Sequence, residues 1–303
     1  MTTSFEPALS AGAIVQGKWN KAQYRVERLL GEGANGKVYL VRLGKQLYAL
    51  KMGYDALDHQ SEVNALKALS KSSTSFSQYL LDVDDFQMEG TDYPFCVVKY
   101  IRGQTLGEFL RQNGSDWIRL VGLNLLRKLT ELHSQGYIFG DLKLENMIVT
   151  GYGDVELIDF GGVTEKGRSV KQFTEVYDRG FWGAGSRKAE ESYDLFSFAV
   201  LLLASGDTER KLQRYSGFLP QNRQVDLLLE MLGRSPSLAG VAPLIRRMLQ
   251  GEYATSKQAM QDWRKISLAG KRTKLRGQVG SWLKICFFAS LALFAAALFM
   301  VFQ

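Results

Sequence analysis

The sequence predicts an α+β protein of two lobes, sheet-rich first and mainly helical second, followed by one membrane-spanning helix. Three observations carry this. Apolar and polar residues alternate in short runs between Tyr24 and Tyr100, helical spacing takes over after Gly103, and Ile285 to Phe302 is an uncharged apolar run. At 303 residues, 46% hydrophobic and 23% charged, the chain has globular rather than disordered composition. Cys96 and Cys286 lie in dissimilar surroundings, which indicates no disulfide framework and a reducing compartment, and no Cys/His cluster with metal-ligand spacing is present. The first residues lack a basic stretch followed by an apolar core, so no cleaved secretory signal is expected.

Residues 1–22 read as an unpatterned arm. Tyr24–Leu30 and Lys37–Leu43 alternate as strands around a glycine-rich turn, and Gln46–Met52 is a third strand. Val63, Leu66 and Leu69 give Ser61–Ser70 a helical spacing. Phe86–Met88 and Phe95–Tyr100 complete a mixed, mainly antiparallel first lobe over 23–100. The second lobe, 101–263, carries helices at Leu106–Leu110, Trp117–Ser134, Asp194–Ala204 and Ser256–Ile266. The apolar run at 198–204 is too short to span a bilayer.

Net charge is +7, and the seven basic residues between Arg264 and Lys284, with no acid among them, account for all of it. The eighteen residues of Ile285–Phe302 then carry no charge, and as a helix they reach roughly 27 Å against a hydrocarbon core of about 30 Å, with Trp282 and Lys284 as interfacial anchors. A buried core helix is the alternative, but a helix in that position ordinarily keeps a polar face and this one has none. Basic residues before a span mark its cytoplasmic flank, which places the lobes in the cytoplasm of a single-pass membrane protein.

The glycine turn is Gly31-x-Gly33-x-x-Gly36-x-Val38. Such glycines let backbone amides approach phosphate oxygens, either at the head of a dinucleotide-binding helix or as a lid between strands. The alternation of Lys37–Leu43 favours the lid. Tyr48-Ala49-Leu50-Lys51 closes the third strand on a lysine, and Glu62 lies on the following helix. Further on come Asp141-Leu142-Lys143-Leu144-Glu145-Asn146 and, after twelve residues, Asp159-Phe160-Gly161. A carboxylate to take a hydroxyl proton and oxygen ligands for Mg²⁺ are what phosphoryl transfer requires.

In this order the motifs resemble those of Hanks-type, eukaryotic-like serine/threonine protein kinases over about residues 23–263. The resemblance implies a bilobal kinase-like fold using ATP and Mg²⁺ on protein substrates. It makes Asp141 the base, assigns Mg²⁺ to Asn146 and Asp159, and sets Lys143 against the γ-phosphate. Lys51 would contact the α/β-phosphates, positioned by Glu62. Gly31, Gly33, Gly36, Val38 and Ala49 would surround the nucleotide, and Val98, Lys99 and Tyr100 would form the strand and hinge that bond adenine. Asp194 would support the catalytic loop.

Two departures stand out. Phe139-Gly140 replaces the usual His-Arg before the catalytic aspartate, removing the arginine that pairs with a phosphorylated activation loop. Arg179-Gly180-Phe181 replaces Ala-Pro-Glu, and the partner arginine is also missing from Gly251–Thr255, so both ends of one buried ion pair are absent together. Thr164, Ser169, Thr174 and Tyr177 are candidate autophosphorylation sites, and Lys166, Arg168 and Lys171 could receive a phosphate locally. A working kinase is the leading reading, with a catalytically silent nucleotide-binding scaffold as the alternative and a small-molecule kinase as a third.

The chain is also similar to the short YabT-like kinases of spore-forming bacteria, with a kinase domain, a basic stretch and one terminal span. Arg264–Lys284 then has three readings: topology alone, binding of anionic lipid, or binding of DNA as an internal activating ligand.

Overall fold

Short runs rich in Val, Tyr and Leu, broken at glycines, build the first lobe. The computed structural model describes residues 9–33, 36–207, 209–275, 285–293 and 300. Strands β1 (Ile14–Gln16), β2 (Gln23–Gly33), β3 (Gly36–Leu43) and β4 (Gln46–Gly53) precede helix α1 (Ala56–Ser70), and β5 (Leu80–Met88) and β6 (Thr91–Lys99) follow it. All six strands form one antiparallel sheet in the order β1-β2-β3-β4-β6-β5. The expected arm at 1–22 is therefore corrected: Ile14–Gln16 pairs with Gln23–Arg25 as an edge strand, and Asp84 on β5 accepts the Trp19 and Asn20 amides. Three residues are too few for alternation to show.

Helix α1 begins five residues before the expected Ser61 because Asp55 caps it, accepting the amides of Leu57 and Asp58. Its Ala65, Leu66 and Leu69 join the core of the second lobe rather than that of the sheet. The helix thereby couples the lobes, and Glu62 rides on it.

The second lobe contains β7 (Gln104–Thr105), α2 (Leu106–Asn113), α3 (Ile118–Ser134), β8 (Tyr137–Ile138), β9 (Met147–Thr150), β10 (Asp154–Leu157), β11 (Thr164–Glu165), α4 (Glu191–Ser205), α5 (Lys211–Ser216), α6 (Val225–Gly233), α7 (Ala242–Leu249) and α8 (Ser256–Leu275). Helix α4 is buried almost throughout, which is why its apolar run shows no amphipathic period. Trp263 of α8 is fully buried, edge-on to Phe198, with its indole N–H on the Arg119 carbonyl. The expected boundary at 263/264 falls inside α8, which continues unbroken to Leu275.

Among the described residues no helix is long and apolar enough to cross a membrane. Residues 294–299, 301 and 302 of the expected span at 285–302 lie outside them. Residues 285–293 are helical and every one is exposed. Residues 276–284 of the basic segment also lie outside the described residues.

Candidate active site

The sheet register assembles one wall of the site. Val38 stands opposite Lys51, and Ala49 opposite Val98, so these four side chains share a face of the sheet. Lys99 ends β6, and its amide donates to the Tyr79 carbonyl at 2.8 Å. That amide is consequently not free for a base edge, which restricts the expected hinge contact of Lys99 to its carbonyl. Tyr100 lies beyond the strand.

The glycine turn joins β2 to β3, and its Ala34 and Asn35 lie outside the described residues. Gly36 is required by the fold: its φ is +151° and a Cβ would lie 2.0 Å from the Met52 carbonyl oxygen. A Cβ at Gly31 or Gly33 would meet nothing within 4 Å. Packing does not explain those two glycines, and they leave open space above the sheet.

Lys51 Nζ lies 2.7 Å from Glu62 Oε2 and 2.6 Å from Asp159 Oδ1. Burial opposes the lysine's charge, but the two carboxylates outweigh it and raise its pKa. Burial likewise opposes ionisation of Asp159, yet Lys51 holds that carboxyl below its usual range. Glu62 Oε1 also accepts the Phe160 amide at 3.2 Å, tying α1 to the Asp159 turn. Asp159 has φ +63°, a left-handed conformation that costs a non-glycine residue about 1 kcal/mol or more.

Asp141 and Asn146 lie between β8 and β9. Asp141 Oδ2 accepts from Lys143 Nζ at 2.7 Å and Oδ1 from Thr174 Oγ1 at 2.8 Å. Asn146 Nδ2 donates to the Asp141 carbonyl at 3.0 Å, leaving Asn146 Oδ1 as an acceptor. Asp194, fully buried, accepts the Phe139 amide at 2.7 Å and the Gly140 amide at 2.9 Å, and so fixes the backbone directly before Asp141.

The departures now have physical accounts. Phe139 packs edge-on to Phe160 at 5.9 Å, and Phe160 also meets Phe76 and Tyr79, so an aromatic cluster braces the loop. Gly140 has φ +82°, and a Cβ there would stand 2.6 Å from the Gly162 carbonyl oxygen, which excludes an arginine in this backbone. Phe181, at the place of the missing glutamate, is buried beneath the Arg223 guanidinium at 4.1 Å.

Sequence reasoning missed the groups that hold the segment after Asp159. Asp178, with a fully buried carboxylate, accepts from the Gly180 and Phe181 amides, Arg187 Nε and the Tyr193 hydroxyl. Arg179 donates to Glu190, Ser192 and the Ser186 carbonyl. These contacts lie within about fifteen residues, and the one sequence signal was the local excess of charge. His133 was missed as well; its Nε2 lies 2.8 Å from Asp194 Oδ2. Of the candidate phosphorylation sites, Thr164 and Tyr177 are buried, Thr174 is bonded to Asp141, and Ser169 is exposed. Lys166, Arg168 and Lys171 are already engaged with Glu191, Glu165 and Ser61.

Asp159 and Asn146 offer two hard oxygen donors, and among the described residues no group of three or more His, Cys, Asp or Glu could hold a metal ion. That donor set fits Mg²⁺, which takes one or two protein oxygens and completes its shell with phosphate oxygens and water. It does not fit a metal bound by protein alone.

The model of the protein kinase domain matches residues 24–225. The chain is 38% identical over 264 residues to the serine/threonine-protein kinase YabT of Bacillus subtilis, covering 86% of this chain and 76% of that protein. It is 30% identical over 191 residues to the RAC serine/threonine-protein kinase of Drosophila melanogaster, covering 57% of this chain and 31% of that protein. With the human ribosomal protein S6 kinase alpha-6 it shares 27% over 265 residues, 77% of this chain and 32% of that protein.

Proposed function

Because the chain belongs to the protein kinase domain family and is a serine/threonine protein kinase, we propose that it transfers the γ-phosphate of ATP to serine or threonine of cytoplasmic proteins while anchored in a membrane. The observation that carries the catalytic part is Lys51 Nζ seated between Glu62 and Asp159 while Asp141 is held by Lys143 and Thr174.

Each residue then has a defined task. Lys51, kept charged, faces the α/β-phosphates, and Glu62 holds it in place. Asp141 Oδ2 takes both Lys143 Nζ and, at 3.4 Å, Asn146 Nδ2, whereas Oδ1 keeps a lone pair beyond its bond to Thr174, so the carboxylate can orient a substrate hydroxyl and take its proton through Oδ1 as the new P–O bond forms. Lys143 lies close enough to Asp141 to leave it for the transferring phosphoryl oxygens. Asp159 and Asn146 would hold Mg²⁺, which supplies charge neutralisation on the phosphates. Gly31 and Gly33, with no side chain and open space where one would stand, leave room for phosphate at the end of the sheet face bearing Val38, Ala49 and Val98. Labelled Mg-ATP with a generic acceptor tests this: the wild type should exceed Lys51→Ala and Asp141→Asn by at least about a hundredfold. Transfer no greater than in those variants would leave a silent nucleotide-binding scaffold instead.

The anchor is supported by the uncharged run 285–302, the exposure of every residue in its helical part 285–293, and the cationic flank before it. The cations of Arg264–Lys284 suit polyanions, either anionic headgroups at about 1 kcal/mol each or the phosphates of DNA. Flotation of the full chain with neutral or phosphatidylserine vesicles, and kinase activity with added DNA at two salt concentrations, separate the sources. A chain that stays with the aqueous phase in both lipids refutes the anchor, and activity indifferent to DNA and to lipid charge leaves the cations a topological role.

A further inference from the structure

Elements far apart in sequence meet on one carboxylate. Glu191 opens α4, and its Oε1 takes Lys166 Nζ, just past β11, at 2.7 Å. Its Oε2 accepts both the amide and the hydroxyl of Ser256, the first residue of α8, each at 2.7 Å. The same oxygen stands 3.5 Å from Nδ1 of His133, near the end of α3, an ion-pair separation rather than a hydrogen bond, and Nδ1 makes no hydrogen bond of its own. Nε2 of that ring reaches Asp194, which holds the Phe139 and Gly140 amides. A run of polar contacts thus leads from the start of α8 to the backbone next to Asp141, through His133, Asp194 and Ser256, each at most 2% exposed.

The donors and acceptors dictate a protonation state. Asp194 can only accept, so His133 Nε2 must donate. Glu191 is kept ionised by His133 and then by Lys166 and Ser256, and it too only accepts. An imidazole hydrogen-bonded to one carboxylate at Nε2 and at ion-pair distance from a second at Nδ1 matches both best as imidazolium. Burial opposes that charge, but Asp194 and then Glu191 outweigh it and raise the pKa of His133. Deprotonation would set a lone pair on Nδ1 against Glu191 Oε2 and open the junction. The charged groups facing the ring are Asp194 and Glu191 on α4 and, through Glu191, Lys166; α8 contributes the neutral Ser256.

We propose that Glu191 is a positioning residue for phosphoryl transfer, tying the start of α8 to the catalytic loop through the His133 imidazolium, so that the seat of α8 sets how firmly Asp141 is held. This rests on Asp141 being the base. Helix α8 continues past the buried Trp263 into the basic residues as far as Leu275.

The test uses the full chain in lipid nanodiscs, with kcat and KM for ATP followed against pH. Glu191→Gln should lower kcat about tenfold with KM within about twofold, and move the alkaline limb of activity to lower pH by about one unit. Lys166→Met should move that limb the opposite way by a few tenths of a unit, because Glu191 then pulls harder on His133. Ser256→Ala should lower kcat about threefold, with no further loss when combined with Glu191→Gln. An unmoved limb, shifts of the same sign in both charge variants, a full multiplication of the two losses, or a fall in Tm with kcat unchanged would each overturn the proposal. If Glu191→Gln does not fold, the Lys166→Met shift and the Ser256→Ala loss decide by themselves. The chain has two histidines, so ¹³C-labelled histidine resolves the His133 titration directly. A His133 resonance that titrates lower in Glu191→Gln supports the junction even if Asp141→Asn proves as active as wild type, which would instead overturn the assignment of the base.

Discussion

Replacing Thr174 by valine removes one hydroxyl and almost no volume. Its Oγ1 donates to Asp141 Oδ1 at 2.8 Å, and the opposite carboxylate oxygen is held by Lys143 at 2.7 Å. A hydrogen bond to a charged group is worth about 1.5–3 kcal/mol. Asp141 is buried, so solvent replaces the bond poorly. If the bond serves to aim the carboxylate, that energy is expressed in the transition state, at a factor of ten per about 1.4 kcal/mol. The expected outcome is a kcat lower by about tenfold to a hundredfold with KM for ATP unchanged. Thr174 is only partly buried, so the melting temperature should fall by less than about 3 °C in a domain of this size. Steady-state phosphorylation of a peptide acceptor, with Thr174→Ser and Thr174→Glu in parallel, completes the assay. Serine keeps the donor and should recover activity to within about threefold. Glutamate sets a second carboxylate against Asp141 and should be as impaired as valine. Wild-type kcat in Thr174→Val, or activity retained by Thr174→Glu as for a phosphorylation mimic, refutes this account of the threonine.

Gly36→Ala should lower the melting temperature, because the new methyl meets the Met52 carbonyl oxygen in a backbone alanine resists, at a cost above about 1 kcal/mol. Gly31→Ala should leave it unchanged while raising KM for ATP several-fold, and calorimetry beside kinetics separates the two. Phe139→Ala removes a fully buried ring that braces Phe160 and should cost about 3–5 kcal/mol in urea unfolding. The raised pKa of His133 also contributes stability that is complete below the unfolded value of about 6.5 and drains as pH rises through the folded one. The urea midpoint should therefore drop more between pH 6 and pH 9 in the wild type than in His133→Gln.

Much of the site was legible because its chemistry is spelled in short, ordered strings. The glycine turn, the lysine ending a strand, and the Asp141 to Asn146 and Asp159 to Gly161 runs name their residues without any fold. The strands β2, β3 and β4 were legible because half-buried strands alternate. Strand β1 was not, since three residues show no period, and the start of α1 was misplaced because a cap, rather than apolar spacing, marks it.

The sequence by itself determined which residue types are available for phosphoryl transfer, the order in which they occur, and the concentration of net positive charge on 264–284. Tertiary structure alone decided how they are held. Lys51 and Asp159 are 108 residues apart and meet only because β4 and the Asp159 turn face each other across the cleft. The replacement of His-Arg by Phe139-Gly140 reads as a loss in one dimension. In three it is an aromatic cluster around Phe160 and a left-handed turn against Gly162. His133, Glu191 and Ser256 carry no local signature, since a hydrogen bond between α3, α4 and α8 depends on where helices pack and not on what stands beside each residue in the chain.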